Sequence, residues 1–258
     1  MLIIIKVGGC LITDKSSSEP KVNYNNLNRI AIELSRAYKE LGCSMIVIHG
    51  AGSYGHPIVK RTGIDEGIKN ERQLIDFAET QRLQNEFNSV VCKSLINEGL
   101  PAFPFQASAS SVMSDKRLVK INAEVIKGII KLRMIPVLYG VPAFDKKQGC
   151  SILSGDQLMT YLGREFKADK LIFATDVLGV YTSDPKKDKN AKLINYINKD
   201  SLKQINLSDG VNTDVTGGML GKVYELIGFK AQIINGLVKD NVYKALKGAM
   251  IGTMIDLK

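Results

Sequence analysis

The stretch Leu2-Ile3-Ile4-Ile5-Lys6-Val7-Gly8-Gly9 sets the fold. Residues 2–7 form a short aliphatic run of the kind buried inside a parallel sheet, and the glycine pair breaks it. Downstream, residues 25–41 carry Leu27, Ile30, Ala31 and Leu34 at helical recurrence and end near Gly42. Residues 45–48 predict the next strand, followed by His49-Gly50-Ala51-Gly52-Ser53-Tyr54-Gly55-His56-Pro57. Strand, glycine turn, helix, strand, glycine turn is the alternation that builds an α/β domain.

The rest of the chain continues that alternation. A long helix is expected over 73–98, an extended segment over 101–106, a helix over 123–132 and a strand over 135–139. Gly140, Pro142, Asp145 and Gly149 mark a turn-rich hairpin or substrate rim. A helix over 156–166 and a strand over 170–175 follow, the strand ending at Asp176. The last third offers a charged turn (184–190), a polar glycine-containing passage (208–218), a helix (222–229) and a strand (231–234). A helix holding Val242, Tyr243 and Leu246 precedes a closing strand. The expected architecture is two lobes on one continuous sheet, 1–168 and 169–258, making one structural domain.

Composition narrows the function classes. With 45% hydrophobic residues in 258, the chain can bury a substantial core, which argues against disorder. No apolar stretch approaches the roughly 20 residues of a spanning helix, and no secretory leader pattern opens the chain. A cytoplasmic protein without integral membrane association is therefore expected. Cys10, Cys43, Cys92 and Cys150 are widely spaced and form no CxxC pair, the pattern of unpaired thiols rather than a zinc site. The formal charge of +9 is spread along the chain without a basic helix or aromatic-basic motif. It suits a phosphorylated small molecule better than a nucleic acid.

Glycine after a strand lets backbone N–H groups approach phosphate oxygens. Two such turns occur here, around Gly8-Gly9 and around Gly50, Gly52 and Gly55, neither with the P-loop nor the dinucleotide-binding spacing. Lys6 lies beside the first turn and Lys15 follows it by a short polar connection; ammonium groups there can offset charge developing on a transferring phosphoryl group. Lys222, after Asp214-Val215-Thr216-Gly217-Gly218, can reach phosphates or stand in solvent behind a capped helix start. Asp156, in Ser154-Gly155-Asp156, orients lysines, helps organise a magnesium-associated phosphate, or caps a helix. His49 reads as a strand-end residue with an internal hydrogen bond. His56, between Gly55 and Pro57, reads as a phosphate ligand through its imidazole N–H. No cluster of His, Cys and carboxylates argues for a fixed metal.

At these residues the chain resembles the amino-acid-kinase superfamily, and within it the isopentenyl phosphate kinase family. The resemblance runs through IKVGGCLITDK (5–15), HGAGSYGH (49–56), SGD (154–156), ATDVLGVYTSDP (174–185) and DVTGGMLGK (214–222). It implies a three-layer α/β/α sandwich with a mainly parallel sheet, an N-terminal lobe for the acceptor and phosphoryl transfer, and a C-terminal nucleotide lobe. It implies ATP-dependent phosphorylation of isopentenyl phosphate, with Mg²⁺ delivered by ATP, as a step of isoprene biosynthesis in a homodimeric enzyme. By the same resemblance Lys6, Lys15, Asp156 and Lys222 are catalytic. Gly9, Gly50, Ala51, Gly52, His56, Phe77, Thr80, Gln81 and Gly155 surround the acceptor. Lys6, Gly8, Gly9, Gly52, Gly55, Thr175, Asp176, Tyr181, Gly218 and Lys222 face the nucleotide.

The chain departs from the family pattern in places. Cys10 stands where serine is usual, Ala51 interrupts a common GGG run, and Leu178 replaces a second aspartate. Tyr139-Gly140-Val141-Pro142 lacks the usual GD, and Thr80-Gln81 occupies the place of a Val-His pair. The AFPFQASA stretch (102–109) is similar to the fosfomycin kinase branch, which stays open as the alternative acceptor reading. A noncatalytic nucleotide sensor is the alternative of a different class.

Overall fold

The computed structural model describes residues 1–14, 19–185, 187–205 and 218–258. Lys15, Lys186 of the charged turn, and Asp214 with Thr216 therefore lie outside the described residues.

In chain order, β1 (Leu2–Val7) meets the short α1 (Gly9–Ile12), followed by α2 (Tyr24–Leu41), β2 (Ser44–His49), α3 (His56–Thr62) and the long α4 (Glu71–Asn97). Strands β3 (Ala102–Pro104), β4 (Ser111–Ser114) and β5 (Arg117–Ile121) lead to α5 (Ala123–Lys131) and β6 (Ile135–Tyr139). Strands β7 (Val141–Asp145) and β8 (Gly149–Leu153) form a hairpin before α6 (Gly155–Glu165) and β9 (Lys170–Thr175). The chain continues through β10 (Val180–Tyr181), β11 (Leu193–Ile194), β12 (Tyr196–Asn198) and α7 (Lys199–Ile205). It ends with α8 (Gly218–Glu225), β13 (Lys230–Asn235), α9 (Asn241–Leu246) and β14 (Thr253–Asp256).

An eight-stranded sheet in the order β12-β14-β13-β9-β1-β2-β6-β3 forms the middle layer, and every pairing in it is parallel except β13 with β14. The α/β sandwich with a central, mostly parallel sheet read from the sequence is thus present. Alternation along β1 explains the layers. Ile3, Ile5 and Val7 face one core with Leu27, Ile30 and Leu34 of α2 and Val242 of α9. Ile4 faces the other, with Ile126 of α5, Leu158 and Leu162 of α6, and Val223 of α8. Lys6 continues the Ile4 side at the last turn before the glycines.

The sheet also positions the site. From β1 the chain builds β2, β6 and β3 to one side, then crosses to β9 and β13 on the other. Ligands of open α/β sheets bind outside the strand carboxyl ends where the strand order reverses. Here that edge holds Gly8-Gly9 after β1, Gly50 after β2 and Asp176 after β9.

Two features differ from expectation. The helix predicted over 222–229 is α8, beginning at Gly218 and closing in a turn in which Leu226 N–H donates to Val223 O (3.1 Å). Val223 and Leu226 are buried in either register, so the apolar pattern did not fix the ends. The second difference is a separate four-stranded sheet, β5-β4-β7-β8. Its β4–β5 turn uses Asp115 and Lys116 at φ of 56° and 63° with no glycine to announce it. The cost of those left-handed residues is offset by Asp145, whose carboxylate accepts N–H groups from Asp115 (3.2 Å), Lys116 (2.9 Å) and Lys147 (2.9 Å) and the Ser151 hydroxyl (2.8 Å).

Among the described residues, no helix is long and apolar enough to cross a membrane. None of the four cysteines is joined in a disulfide.

Candidate active site

The two glycine turns meet backbone to backbone. A Cβ on Gly9 would stand 2.3 Å from Gly52 N, and one on Gly50 would stand 2.5 Å from Gly9 N. Only hydrogen fits between them, which is the reason for glycine at both places. Thr13 braces the joint: its hydroxyl donates to Gly9 O (2.8 Å) and accepts from Ser53 N–H (3.1 Å). Neither the interlock nor Thr13 was evident from composition or spacing. Gly52 also holds φ +52°, whereas Ala51 is right-handed at φ −65° and ψ −32°. Alanine at 51 is therefore in a conformation that any L-residue adopts.

Strand-end hydrogen bonds anchor the turns to their neighbours. Gly8 N–H donates to Ala174 O (2.9 Å), and Gly50 N–H to Val7 O (3.0 Å). Gly140 N–H donates to His49 O at 3.1 Å.

Lys6 and Lys222 converge on Asp156. Asp156 lies in the first turn of α6, whose N-terminus is capped by Ser154 accepting Gln157 N–H (3.1 Å). Its Oδ1 accepts a hydrogen bond from Lys6 Nζ, and Lys222 Nζ of α8 lies 3.4 Å from its Oδ2. The Lys6 stem passes over Gly155, where a Cβ would stand 3.0 Å from Lys6 Cε. Glycine is the residue that lets the lysine cross the helix start.

Burial draws the Lys6 ammonium below the ordinary lysine value, against the attraction of Asp156 and with the help of repulsion from Lys222. Burial pushes the Asp156 carboxyl upward, but Lys6 and Lys222 outweigh it and hold the group below its ordinary value. Two ammonium groups thus share one buried carboxylate at this centre.

His49 and His56 differ in their surroundings. The His49 ring is fully buried between Tyr139 (5.3 Å, stacked) and Phe87 (4.9 Å, edge-on), with Nδ1 donating to Gly50 O (3.1 Å) and Nε2 beside the Asn88 carboxamide (3.1 Å). Burial lowers its pKa to about 4, so it is a neutral structural group at pH 7. His56 is exposed at the first position of α3, directly after Gly55.

The face of α4 that carries the expected acceptor residues is less uniform than its sequence suggests. Phe87 belongs to the core, stacked on Tyr54 at 4.5 Å. Phe77 is half-buried against a small apolar cluster of Val59, Ile64 and Cys150, with Ile68 and Ile152. The Thr80 hydroxyl donates to Asp76 O (2.7 Å), and Gln81 is held by Pro142 O and the Ser108 hydroxyl. Gln84, on the same helix, is fully buried next to Gly55.

On the β9 side, Thr175 Oγ1 accepts Val177 N–H (3.2 Å), and Tyr181 lies in the β10–β11 ribbon. Thr253 fixes that ribbon, accepting Val180 N–H (2.8 Å) and donating to Ile194 O (2.6 Å). Gly218 opens α8, which carries Lys222.

Interlocked glycine turns at the carboxyl edge of a parallel sheet, beside a buried centre of two lysines and an aspartate, are the make-up of a phosphate-handling α/β protein. Comparison with known proteins agrees and goes further. A model of the amino acid kinase family matches residues 1–235. The isopentenyl phosphate kinase of Methanothermobacter thermautotrophicus is 39% identical, covering 98% of each chain. That of Methanocaldococcus jannaschii is 36% identical, covering 99% of each. An X-ray structure of an isopentenyl phosphate kinase superposes with a TM-score of 0.87 at 35% identity, covering 99% of this chain and 100% of that one. The chain belongs to the amino acid kinase family and, within it, to the isopentenyl phosphate kinases. That membership makes it a phosphotransferase.

Proposed function

We propose that this chain transfers the γ-phosphoryl group of ATP to isopentenyl phosphate, giving isopentenyl diphosphate and ADP. The observation that carries the reading is the buried Lys6–Asp156–Lys222 centre beside the Gly9–Gly52 interlock, with His56 on the same turn. An oxygen of the acceptor phosphate attacks the γ-phosphorus, a P–O bond forms, and the bond to the β,γ-bridging oxygen breaks. The attacking oxygen is ionised near neutral pH, so positioning and charge stabilisation are the work left to the protein.

Lys6 and Lys222 supply positive charge at the transferring group, with Lys15 as a further cation, while Asp156 aims the first two. Gly9, Gly50, Ala51, Gly52 and Gly155 shape the cradle, and His56 holds the acceptor phosphate. Gly8, Gly55, Thr175, Asp176, Tyr181 and Gly218 face the nucleotide, so residues 1–168 serve the acceptor and 169–258 the nucleotide. Mg²⁺ enters on the ATP phosphates, because the Asp156 carboxylate is engaged by two ammonium groups. The apolar cluster around Phe77 receives the hydrocarbon tail. The enzyme acts as a cytoplasmic homodimer.

An acceptor panel of isopentenyl phosphate, dimethylallyl phosphate, fosfomycin and simple alkyl monophosphates tests the reading. The largest kcat/KM is expected with isopentenyl phosphate. Efficient use of fosfomycin with no conversion of isopentenyl phosphate assigns the chain to the other branch. ATP binding with no turnover of any member identifies a nucleotide sensor.

A further inference from the structure

Helix α4 turns Phe77, Thr80, Gln84 and Phe87 toward the interior at helical spacing. Each polar neighbour of Gln84 on this helix has its partners within the protein. Thr80 bonds Asp76 O, Gln81 bonds Pro142 O and Ser108, and Asn88 meets His49. Among the described residues, only Gln84 leaves both polar atoms of a fully buried side chain without a hydrogen-bond partner. An unpaired buried amide typically costs on the order of 1–3 kcal/mol, so its place calls for a partner that the free chain lacks.

The carboxamide lies against the acceptor turn. A Cβ on Gly55 would stand 2.5 Å from Gln84 Nε2, so glycine at that position is what admits the amide beside the backbone leading to His56. A phosphate oxygen accepts hydrogen bonds and would leave Gln84 Oε1 unpaired. A hydroxyl both donates and accepts, and satisfies the two ends of the carboxamide at once.

We propose that Gln84 is a specificity-determining residue that pairs with a hydroxyl carried close to the phosphate of the acceptor. The chain therefore also phosphorylates short hydroxyalkyl monophosphates. The inference rests on the reading of His56 as the acceptor-phosphate ligand. The chemistry of transfer is unchanged: the acceptor phosphate oxygen attacks, ADP leaves, and the hydroxyl stays intact. Both carboxamide atoms are closed from solvent in the ligand-free chain. Entry of the hydroxyl thus requires the Gly55–His56 turn to move off α4.

The test compares kcat/KM for 2-hydroxy-3-methylbutyl phosphate and isopentenyl phosphate in the wild type, Gln84→Leu and Gln84→Met. Both variants replace an unpaired buried amide by apolar groups of similar size, so the fold is retained, and thermal melting verifies it. The hydroxy-to-hydrocarbon ratio is expected to fall at least about tenfold in both variants. An unchanged ratio overturns the proposal, as does a wild type that converts isopentenyl phosphate but not its hydroxylated counterpart. A wild type that converts neither overturns the functional reading itself.

Discussion

Gly9 and Gly52 are locked together: a methyl group on Gly9 would lie 2.3 Å from Gly52 N. Two turns from distant parts of the sequence thereby become one continuous backbone surface. Gly9→Ala is expected to push the turns apart, lowering kcat/KM by at least about a hundredfold and stability by roughly 1–3 kcal/mol. Ala51→Gly, at a right-handed position, is expected to change kcat/KM less than threefold. Steady-state kinetics with urea unfolding checks both, and near-normal turnover in Gly9→Ala removes the interlock from the account.

Asp156→Asn tests the charged centre. Among the described residues, Asp156 is the carboxylate that Lys6 and Lys222 share, and the substitution removes the negative charge between two ammonium groups. A loss of about 3–5 kcal/mol in stability is expected from breaking a buried pair. Nucleotide and sulfate, being anionic, are expected to restore part of it in a thermal shift assay. Equal melting with and without anions contradicts the assignment.

The displaced Lys6 pKa has two consequences of known sign. Its folded value lies below the unfolded one, so the charged form opposes folding at neutral pH. That opposition fades as pH rises from the folded value toward the ordinary lysine value of 10.5. In catalysis, kcat is expected to decline on the alkaline side before the ordinary lysine range. The decline should disappear from the residual rate of Lys6→Met. A pH–rate profile decides, and a shared alkaline limb in the variant excludes Lys6 as its source.

His56→Gln is expected to raise the acceptor KM about tenfold or more while the ATP KM stays within twofold. Initial-rate kinetics with each substrate varied separates the two constants. An ATP-specific defect would move His56 to the nucleotide side.

Asp145 provides a stability prediction remote from the chemistry. Burial alone would raise its carboxyl, but donors from Lys116, Lys147, Ser151 and Asp115 bring its pKa down to about 2 from 3.8. The stabilisation is full above the unfolded value and is lost as pH falls through the folded one, between about pH 4 and 2. It amounts to about 2 kcal/mol, which Asp145→Asn should remove at pH 7 and leave little changed at pH 2. Urea unfolding at both pH values measures the difference.

The strands of the central sheet were legible because β1, β2, β6 and β9 are aliphatic runs stopped by glycine, proline or aspartate. The β4–β5 ribbon was not, since its turn is built from Asp115 and Lys116 and stabilised by Asp145 from another hairpin. At the site, Lys6, His56 and the glycines could be picked out as residue types following strands. Their mutual arrangement could not, because Lys6 and Asp156 are 150 residues apart and meet only through the packing of α6 on β1. Thr13 carried no local signal: a threonine after an apolar turn is ordinary until its neighbours are known.

The most direct measurement is ³¹P NMR of the chain incubated with MgATP and isopentenyl phosphate. The account predicts loss of the monophosphate resonance and growth of two coupled diphosphate resonances, in step with ADP. Formation of ADP with inorganic phosphate alone, and an unchanged acceptor resonance, would contradict it.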